Sequence, residues 1–318
     1  MNNTVRTKAD TVAVLKKYSA AILLLVFLVL NAVITPNFFS MGTIRNIIIQ
    51  SCTIILTGMG MTMVISTGGI DISVGAVMAL AGIVTVKMLP FGVGIACITA
   101  ILVCSVSGVI AGFMVGKLRV QAMVVTLALM IGVRGVAQIL NDAKIIYISG
   151  SNGDAFKTLG TAKIGGIPVQ IIPIVLAVAI VWFVLEKTIL GRHIQAVGDN
   201  PYSAHLAGIN STKTLMVVYI SSAVLAAIAG IFATAKIGAA DGNSLGLLAE
   251  LDAIAAVAVG GTSMSGGRAK IFGTVIGALI MLLITITVNM NNITYEYAQV
   301  LKAIIIIFAV YIQREKAA

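Results

Sequence analysis

The stretch FGVGIACITAILVCSVSGVIAGFMV, residues 91–115, runs for 25 positions without a charged side chain. An uncharged apolar run of this length predicts a helix that can cross the hydrocarbon core of a membrane. Outward from it, breaks at Gly, Pro, Asn and charged residues divide the chain into ten apolar runs, near 19–35, 47–67, 74–88, 91–115, 122–140, 168–185, 214–235, 247–260, 271–289 and 297–312. The third and eighth runs are short for a straight crossing. The sequence therefore predicts an all-α, polytopic membrane protein with about ten transmembrane helices.

The composition agrees with this fold class. The 318 residues are 59% hydrophobic and 10% charged, and the mean hydropathy is +1.09. A soluble domain is about 45–50% apolar and about 25% charged. Ten spans of about 20 residues leave roughly 118 residues for loops and tails, which is too little for a separate catalytic domain. We expect one transmembrane domain at 19–312, with tails at 1–18 and 313–318.

The distribution of Lys and Arg predicts the orientation. Ten spans place both termini on one side, and that side carries 13 of the 21 Lys and Arg residues. Because positively charged loops stay in the cytoplasm, we expect cytoplasmic termini and a cytoplasmic loop at 186–213. This orientation also accounts for the net charge of +10, so a nucleic-acid partner is not expected. Spans two to five and seven to ten have similar spacing and start on opposite sides, as in an inverted repeat.

Several kinds of chemistry have no motif in this sequence. It contains no HExxH, CxxC or GxSxG pattern. The nearest approach to a phosphate-binding loop, Gly261–Arg268, lacks the Lys followed by Ser or Thr that would contact phosphate and magnesium. The cysteines Cys52, Cys97 and Cys104 stand alone in apolar runs, where a free Cys behaves as a small hydrophobic residue. We therefore expect no catalytic residue, no metal and no cofactor.

The segment STGGIDISVG, residues 66–75, interrupts two apolar runs with a carboxylate and three glycines. Irregular backbone at membrane depth is tolerated only where protein or water surrounds it. One interpretation is a gate or the lining of a solute path, formed by Thr67, Gly68, Gly69, Asp71 and Ser73. The other is a tight connection in which Asp71 caps the next helix.

Arg134 lies inside the fifth run, and Gln138 follows one turn later on the same face. An intramembrane charge usually faces the bundle interior or water, so this pair is a candidate for the solute path. Alternatively, Arg134 reaches towards the outer headgroups. Glu250 and Asp252, at the start of the eighth run, are possible partners of Arg134, and Asp252 is a further path candidate.

Glycines recur at every fourth position in two runs, as Gly108, Gly112 and Gly116 in the fourth and as Gly273 and Gly277 in the ninth. Small residues at this spacing let two helices approach closely. We interpret these glycines as packing positions in the bundle rather than as substrate contacts.

The stretch LGRHIQAVGDNPYSAHLAGIN, residues 190–210, contains the signals for a short helix in the large cytoplasmic loop. Asn200 is a suitable N-cap, Pro201 fits the first helical position, and Gly208 ends the helix. Such a helix is either a docking element for a cytoplasmic partner or an ordinary surface helix.

Four stretches resemble the permease subunits of bacterial ABC sugar importers of the ribose, xylose and galactose type. They occur in the same order as in that family and are TGGIDISVGAVMALAG (67–82), RGVAQ (134–138), the 190–210 stretch and ELDAIAAVAVGGTSMSGGRAKIFGTVIGALI (250–280). The resemblance covers nearly the whole chain from about residue 20. Within the group, RGVAQ and AADGNSLGLLAELDAI (239–254) look closest to galactofuranose permeases.

This resemblance implies a subunit of a larger importer in the bacterial inner membrane. Two permease copies, identical or related, would work with cytoplasmic ABC ATPase subunits and receive sugar from an extracytoplasmic binding protein. The helix after Asn200 would couple to the ATPase through Asn200, Pro201, Tyr202, Ala204, His205 and Gly208. The loops around Gly68–Ser73 and Gly116–Gln121, including Gln121, would lie near the inner gate.

Two other classes of function remain as alternatives. An ion-coupled secondary carrier would commonly use carboxylates deep in the membrane, but here the acidic residues fall at span edges or in loops. A membrane enzyme would need converging nucleophiles, bases or metal ligands, and none is visible in the sequence.

Overall fold

The computed structural model describes residues 19–313, and within this range the chain is all-α, as predicted. The predicted tails 1–18 and 313–318 lie outside the described residues, apart from Gln313. The α-helices are α1 (Ser19–Ile34), α2 (Met41–Ser66), α3 (Val74–Met88), α4 (Val93–Gly116), α5 (Ala122–Ile139), α6 (Ser151–Thr161), α7 (Ile171–Lys187), α8 (Ile189–Asp199), α9 (Pro201–Leu206), α10 (Ser211–Ile237), α11 (Ala249–Val259), α12 (Ile271–Met290) and α13 (Tyr295–Gln313). Four two-residue strands accompany them, β1 (Ile146–Tyr147), β2 (Lys163–Ile164), β3 (Ile167–Pro168) and β4 (Ala239–Ala240).

Each of the ten predicted apolar runs contains a helix, but the helices differ in their ability to cross a membrane. Among the described residues, six are long and apolar enough by length and composition: α2, α3 with the 3-10 turn that follows it, α4, α5, α10 and α12. The α7–α8 pair, bent by 73°, adds a seventh if it forms one span. In contrast, α11 has 11 residues. It is therefore only about 16 Å long, roughly half the thickness of the hydrocarbon core.

Helix α10 lies at the centre of the bundle and packs against α2, α3 and α4. The glycines of α4 permit this close approach, because a Cβ added to Gly112 would lie 2.5 Å from the Cα of Met216 on α10. A Cβ on Gly108 would meet the backbone of Tyr219 at 2.6 Å. In α12, a Cβ on Gly277 would collide with the backbone of α11. The structure confirms that both glycine series are packing positions.

Helices α3 and α11 begin close to each other. Each follows an irregular segment, residues 67–73 before α3 and 241–248 before α11. Their first turns lie against each other, because a Cβ on Gly75 would collide with the carbonyl oxygen of Gly246 and contact the Glu250 carboxylate. Gly246 has a φ of 69° and Leu248 a φ of 63°, so both residues adopt the left-handed backbone conformation just before α11 begins.

The segment at 141–166, between the fifth and sixth predicted apolar runs, contains structure that its sequence pattern did not indicate. Helix α6 buries Phe156 completely and packs closely on α10, where Gly160 meets the backbone of Ala235. Strand β1 pairs with β4, and β2 pairs with β3, both antiparallel. The helix is short and largely polar, so its position depends on packing against α10 rather than on an apolar run.

Candidate functional site

Helix α9 has the caps that its sequence predicted. The Asn200 side chain accepts hydrogen bonds from the backbone N–H groups of Tyr202 (3.0 Å) and Ser203 (2.9 Å). Pro201 occupies the first helical position. At the other end, Gly208 has a φ of 78° and its N–H donates to the carbonyl of His205. These local interactions stop the helix at both ends.

One face of α9 projects two large side chains away from the bundle. Tyr202 is 71% exposed and Leu206 is 70% exposed, and they lie one turn apart on the same face. On the opposite face, Ala204 is buried against the rest of the loop. An exposed aromatic and aliphatic pair on a capped helix is suited to insertion into a pocket of another protein.

The end of α8 joins α9 to two other segments. A Cβ on Gly198 would collide with the carbonyl oxygen of Ser66, the last residue of α2. The N–H of Gly267 donates to the same oxygen at 3.0 Å. A second link is the ion pair between Arg268 and Glu186, whose atoms are 3.6 Å apart. The ends of α2, α7 and α8 and residues 261–270 therefore form one contact cluster.

The segment between α2 and α3 is held by the buried Asp71, which is 2% exposed. Its Oδ1 accepts from the backbone N–H of Ser73 (3.0 Å) and from the Ser73 hydroxyl (2.6 Å). Its Oδ2 accepts from the hydroxyl of Ser222 on α10, at 2.8 Å. These contacts are those of a connector that ties the start of α3 to α10; the gate interpretation stays a prediction.

The other predicted gate residues surround this segment. Thr67 donates to the carbonyl of Val64 at 2.7 Å, and Gly68 has a φ of 78°. A Cβ on Gly69 would lie 2.5 Å from the Tyr219 hydroxyl. Gln121 is exposed immediately before α5. Helix α5 contacts the segment through the Thr126 hydroxyl, which donates to the carbonyl of Ile70 at 3.1 Å.

Arg134 and Gln138 contact the irregular segment before α11. The Arg134 guanidinium donates to the carbonyls of Gly242, Asn243 and Leu245, at 3.2, 3.0 and 3.2 Å. Gln138 donates to the side-chain oxygen of Asn243 at 3.0 Å. Both side chains therefore hold the turn in place, and their role in a solute path stays a prediction.

The same turn is stabilised from within by Asp241. Its carboxylate accepts hydrogen bonds from Asn243 and Ser244. Burial alone would raise the pKa of Asp241. The hydrogen bonds outweigh this effect, so the pKa of Asp241 lies below its ordinary value. The carboxylate is therefore charged near neutral pH, the form that accepts these hydrogen bonds.

A cavity of about 240 Å³, lined by both polar and apolar side chains, lies between α2, α10, α11, α12 and the start of α13. Its polar lining comes from six residues: Gln50, Thr53, Lys236, Asp252, Thr285 and Tyr295. Asp252 does not pair with Arg134. Instead, the Lys302 ammonium on α13 contacts both of its carboxylate oxygens, at 2.7 and 3.0 Å.

Lys302 was missed at the sequence level, although it carried a signal. It is a charge inside the last apolar run, the same feature that drew attention to Arg134. Its side chain is 9% exposed, and Asp252 lies 50 positions earlier. Sequence spacing could not relate the two, because their approach depends on how α11 and α13 pack.

Comparisons with known proteins agree with the membrane-spanning fold and with the resemblance to sugar-importer permeases. A family model described as the permease component of branched-chain amino acid transport systems matches residues 43–310. The ribose import permease protein RbsC of Haemophilus influenzae is 37% identical, over 91% of this chain and 90% of its own length. The galactofuranose transporter permease protein YtfT of Escherichia coli is 36% identical, over 92% and 88%. The D-allose transport system permease protein AlsC of Escherichia coli is 35% identical, over 94% and 91%.

No solved structure matched the chain. The resemblance to sugar-importer permeases is confirmed by these relatives, whereas their nearly equal identities do not single out galactofuranose among the sugars. Since the family model covers most of the chain and the relatives match along nearly their full length, this chain belongs to the family of permease components of branched-chain amino acid transport systems.

Proposed function

We propose that this chain is the membrane permease of an ABC importer that carries a monosaccharide into the cell. The observation that carries the proposal is the similarity, along nine-tenths of the chain, to permeases named for ribose, galactofuranose and allose. As a family member whose described residues include six long apolar helices, it is a multi-pass protein of the inner membrane. A separate ATPase subunit supplies the energy, and an extracytoplasmic binding protein delivers the sugar. A second permease copy, identical or related, completes the importer.

We further propose ten crossings with both termini in the cytoplasm and a single domain at 19–312. Contacts between loops support this topology. At one end of the bundle, Thr212 donates to the carbonyl of Gly116 at 2.8 Å, and Gly267 donates to that of Ser66 at 3.0 Å. At the other end, β1 pairs with β4. Each contact joins segments that the predicted topology assigns to the same side.

An inverted repeat is supported by the way the helices pack. Helix α3 packs against α4, α5 and α10, and α11 packs against α12, α13 and α2. These are the pairs expected if α2–α5 and α10–α13 are equivalent units in opposite orientations. In both units the short helix follows an irregular segment, and these two helices meet at Gly75 and Gly246.

Helix α9 is the proposed coupling element to the ATPase. Asn200, Pro201 and Gly208 shape it, Ala204 anchors it, and Tyr202 projects from it beside the exposed His205 and Leu206. A rigid, capped helix transmits the movement of a partner with little loss, because its geometry is held by its own hydrogen bonds.

The solute path is proposed to include the cavity at Asp252 and the segments on either side of it. Carboxylate, ammonium, amide and hydroxyl groups share the wall of this cavity with apolar side chains, and such polar groups hydrogen-bond a neutral polyhydroxyl solute. The inner gate would comprise Thr67, Gly68, Gly69, Asp71 and Ser73, with Gln121 beside it. Arg134 and Gln138 would shape the outer side through the turn at 242–245.

The test is purification of the tagged chain from native membranes in mild detergent, with mass spectrometry of its partners. An ABC ATPase and a sugar-binding protein are expected, and the binding protein can then be screened with ribose, allose and galactofuranose. Isolation of the chain alone, under conditions that preserve such complexes, would contradict the proposal.

A variant of α9 tests the coupling assignment. Ala204→Pro removes the hydrogen bond from the Ala204 N–H to the carbonyl of Asn200, which is 3.0 Å long, and should abolish transport without preventing insertion. Gly132→Ala is the control, since no atom lies within 4 Å of the added methyl group. Normal transport by Ala204→Pro would rule out coupling through α9.

A further inference from the structure

Three segments meet at Gly198 without an intervening side chain. Gly198 lies directly against the carbonyl of Ser66, and the backbone of Gly266 lies against Gly198 in turn. Gly266 and Gly267 have φ values of 99° and 91°, which side chains other than Gly rarely adopt. Contact between backbones cannot relax by rotation of a side chain, so it is stiff.

The same site connects directly to α9. Helix α8 ends at Asp199 and α9 begins at Pro201, with Asn200 alone between them. On the other side of the contact, Ser66 ends α2, and residues 261–270 join α11 to α12. These three helices carry four of the polar residues that line the cavity, namely Gln50, Thr53, Asp252 and Thr285.

We infer that Gly198 is a positioning residue that transmits movement of α9 to the helices around the cavity. This inference rests on the proposed function and adds the route by which ATPase movement reaches the solute path. Because residue 198 is glycine, α8 directly contacts the end of α2 and Gly266–Gly267. The three segments therefore move together as one rigid body. Any side chain there would separate α8 from both segments and leave α9 free to move without the cavity helices.

The first test is Gly198→Ala, with Gly132→Ala as the matched glycine-to-alanine control. The exposed face of α9 is unchanged in Gly198→Ala, so the variant should still co-purify with the ATPase. Transport should fall by about tenfold or more while ATP hydrolysis continues, because the two activities are uncoupled. Transport at the wild-type rate would overturn the inference and leave the proposed function intact.

A second test avoids adding a methyl group at position 198. Asp199→Cys and Arg268→Cys are combined in a chain whose native cysteines are replaced, and the two thiols are joined by a reducible bifunctional reagent. The Asp199 carboxylate lies next to Gly267, so both positions belong to the same contact. Cross-linked importer should transport normally, because the contact moves as one body. A block that reduction relieves would show that the contact opens during transport, and would overturn the inference.

The two proposals fail in different ways. If the wild-type chain co-purifies with no ATPase, the proposed function fails whatever Gly198 does. If the ATPase binds, and Tyr202→Ala with Leu206→Ala releases it, the proposed function stands. The Gly198→Ala and cross-linking results then test only the route of transmission through Gly198.

Discussion

At the scale of single residues, Asp71 combines burial with a full set of hydrogen bonds. Both carboxylate oxygens accept, from Ser73 next to it in sequence and from Ser222 on α10. Such an arrangement satisfies a buried polar group while fixing the start of α3 against a neighbouring helix. Asp71 therefore has a structural role whether or not it also belongs to the gate.

We predict that Asp71→Ala destabilises the purified chain much more than Asp71→Asn. Alanine leaves the Ser73 and Ser222 hydroxyls without their acceptor, and each unsatisfied buried group costs about 1–3 kcal/mol. Asparagine keeps one acceptor oxygen, and the Ser222 hydroxyl can turn to accept from its amide. Thermal unfolding in detergent measures the difference. Equal melting temperatures for Asp71→Ala and the wild type would show that this connection contributes nothing to stability.

We predict that exchanging the charges of Asp252 and Lys302 does not restore transport. The single variants Asp252→Lys and Lys302→Asp should both lose it, because each places two like charges against each other in a partly buried position. The double variant restores the ion pair between α11 and α13 but removes the carboxylate from the cavity wall. Uptake of labelled sugar, with membrane insertion checked in parallel, is the measurement. Recovered uptake in the double variant would mean that the pair only ties the two helices together.

At the scale of helices, the packing of α4 on α10 depends on the absence of side chains along one line. The added Cβ at Gly112 would meet the backbone of Met216 at 2.5 Å, a distance that no rotamer change can increase. Gly94 belongs to the same helix, yet no atom lies within 4 Å of its added Cβ. Position on the helix, and not residue type, therefore decides the effect of a substitution.

We predict opposite effects for Gly112→Ala and Gly94→Ala. Gly112→Ala should destabilise the chain by about 1–3 kcal/mol or more, since α4 and α10 must move apart. Gly94→Ala should be neutral or stabilising by up to about 1 kcal/mol, because alanine favours the helix. The measurement is the melting temperature of each variant in the same detergent. A similar decrease in melting temperature for both variants would show that α4 is not closely packed on α10 at Gly112.

At the scale of the whole molecule, the proposed topology requires two separate groups of accessible loops. Tyr202 and the Arg268 side chain, both largely exposed, belong to the group around α9. Tyr147 and Lys163, also exposed, lie in the segment that carries α6. The sixth apolar run, which contains α7, is the single crossing between the two groups, so the proposed topology places them on opposite sides.

We predict that single cysteines at these four positions react in two sets with a membrane-impermeant thiol reagent. In intact cells lacking an outer-membrane barrier, cysteines at 147 and 163 should be labelled, and those at 202 and 268 only after lysis. The native cysteines are replaced in all four variants. Labelling of position 202 in intact cells would contradict the cytoplasmic placement of α9.

Local features of this protein were predictable from the sequence. The apolar runs form helices because backbone groups in lipid must be satisfied within their own segment. Asn200, Pro201 and Gly208 define α9 because caps act over three or four residues. The glycine spacing likewise identified packing faces, since every fourth residue of a helix lies on the same side.

Contacts between distant residues were decided by the tertiary structure. Arg134 lies more than 100 positions from the carbonyls it binds, Lys302 lies 50 from Asp252, and Phe156 of α6 is buried where that helix packs on α10. The sequence could show that Arg134 was unusual but not which group would bind it. By itself, the sequence determined where helices form and how α9 is capped, because these depend on neighbouring residues. Which charges pair, and which backbone Gly198 meets, depend on how the helices pack around α10, and only the folded bundle decided them.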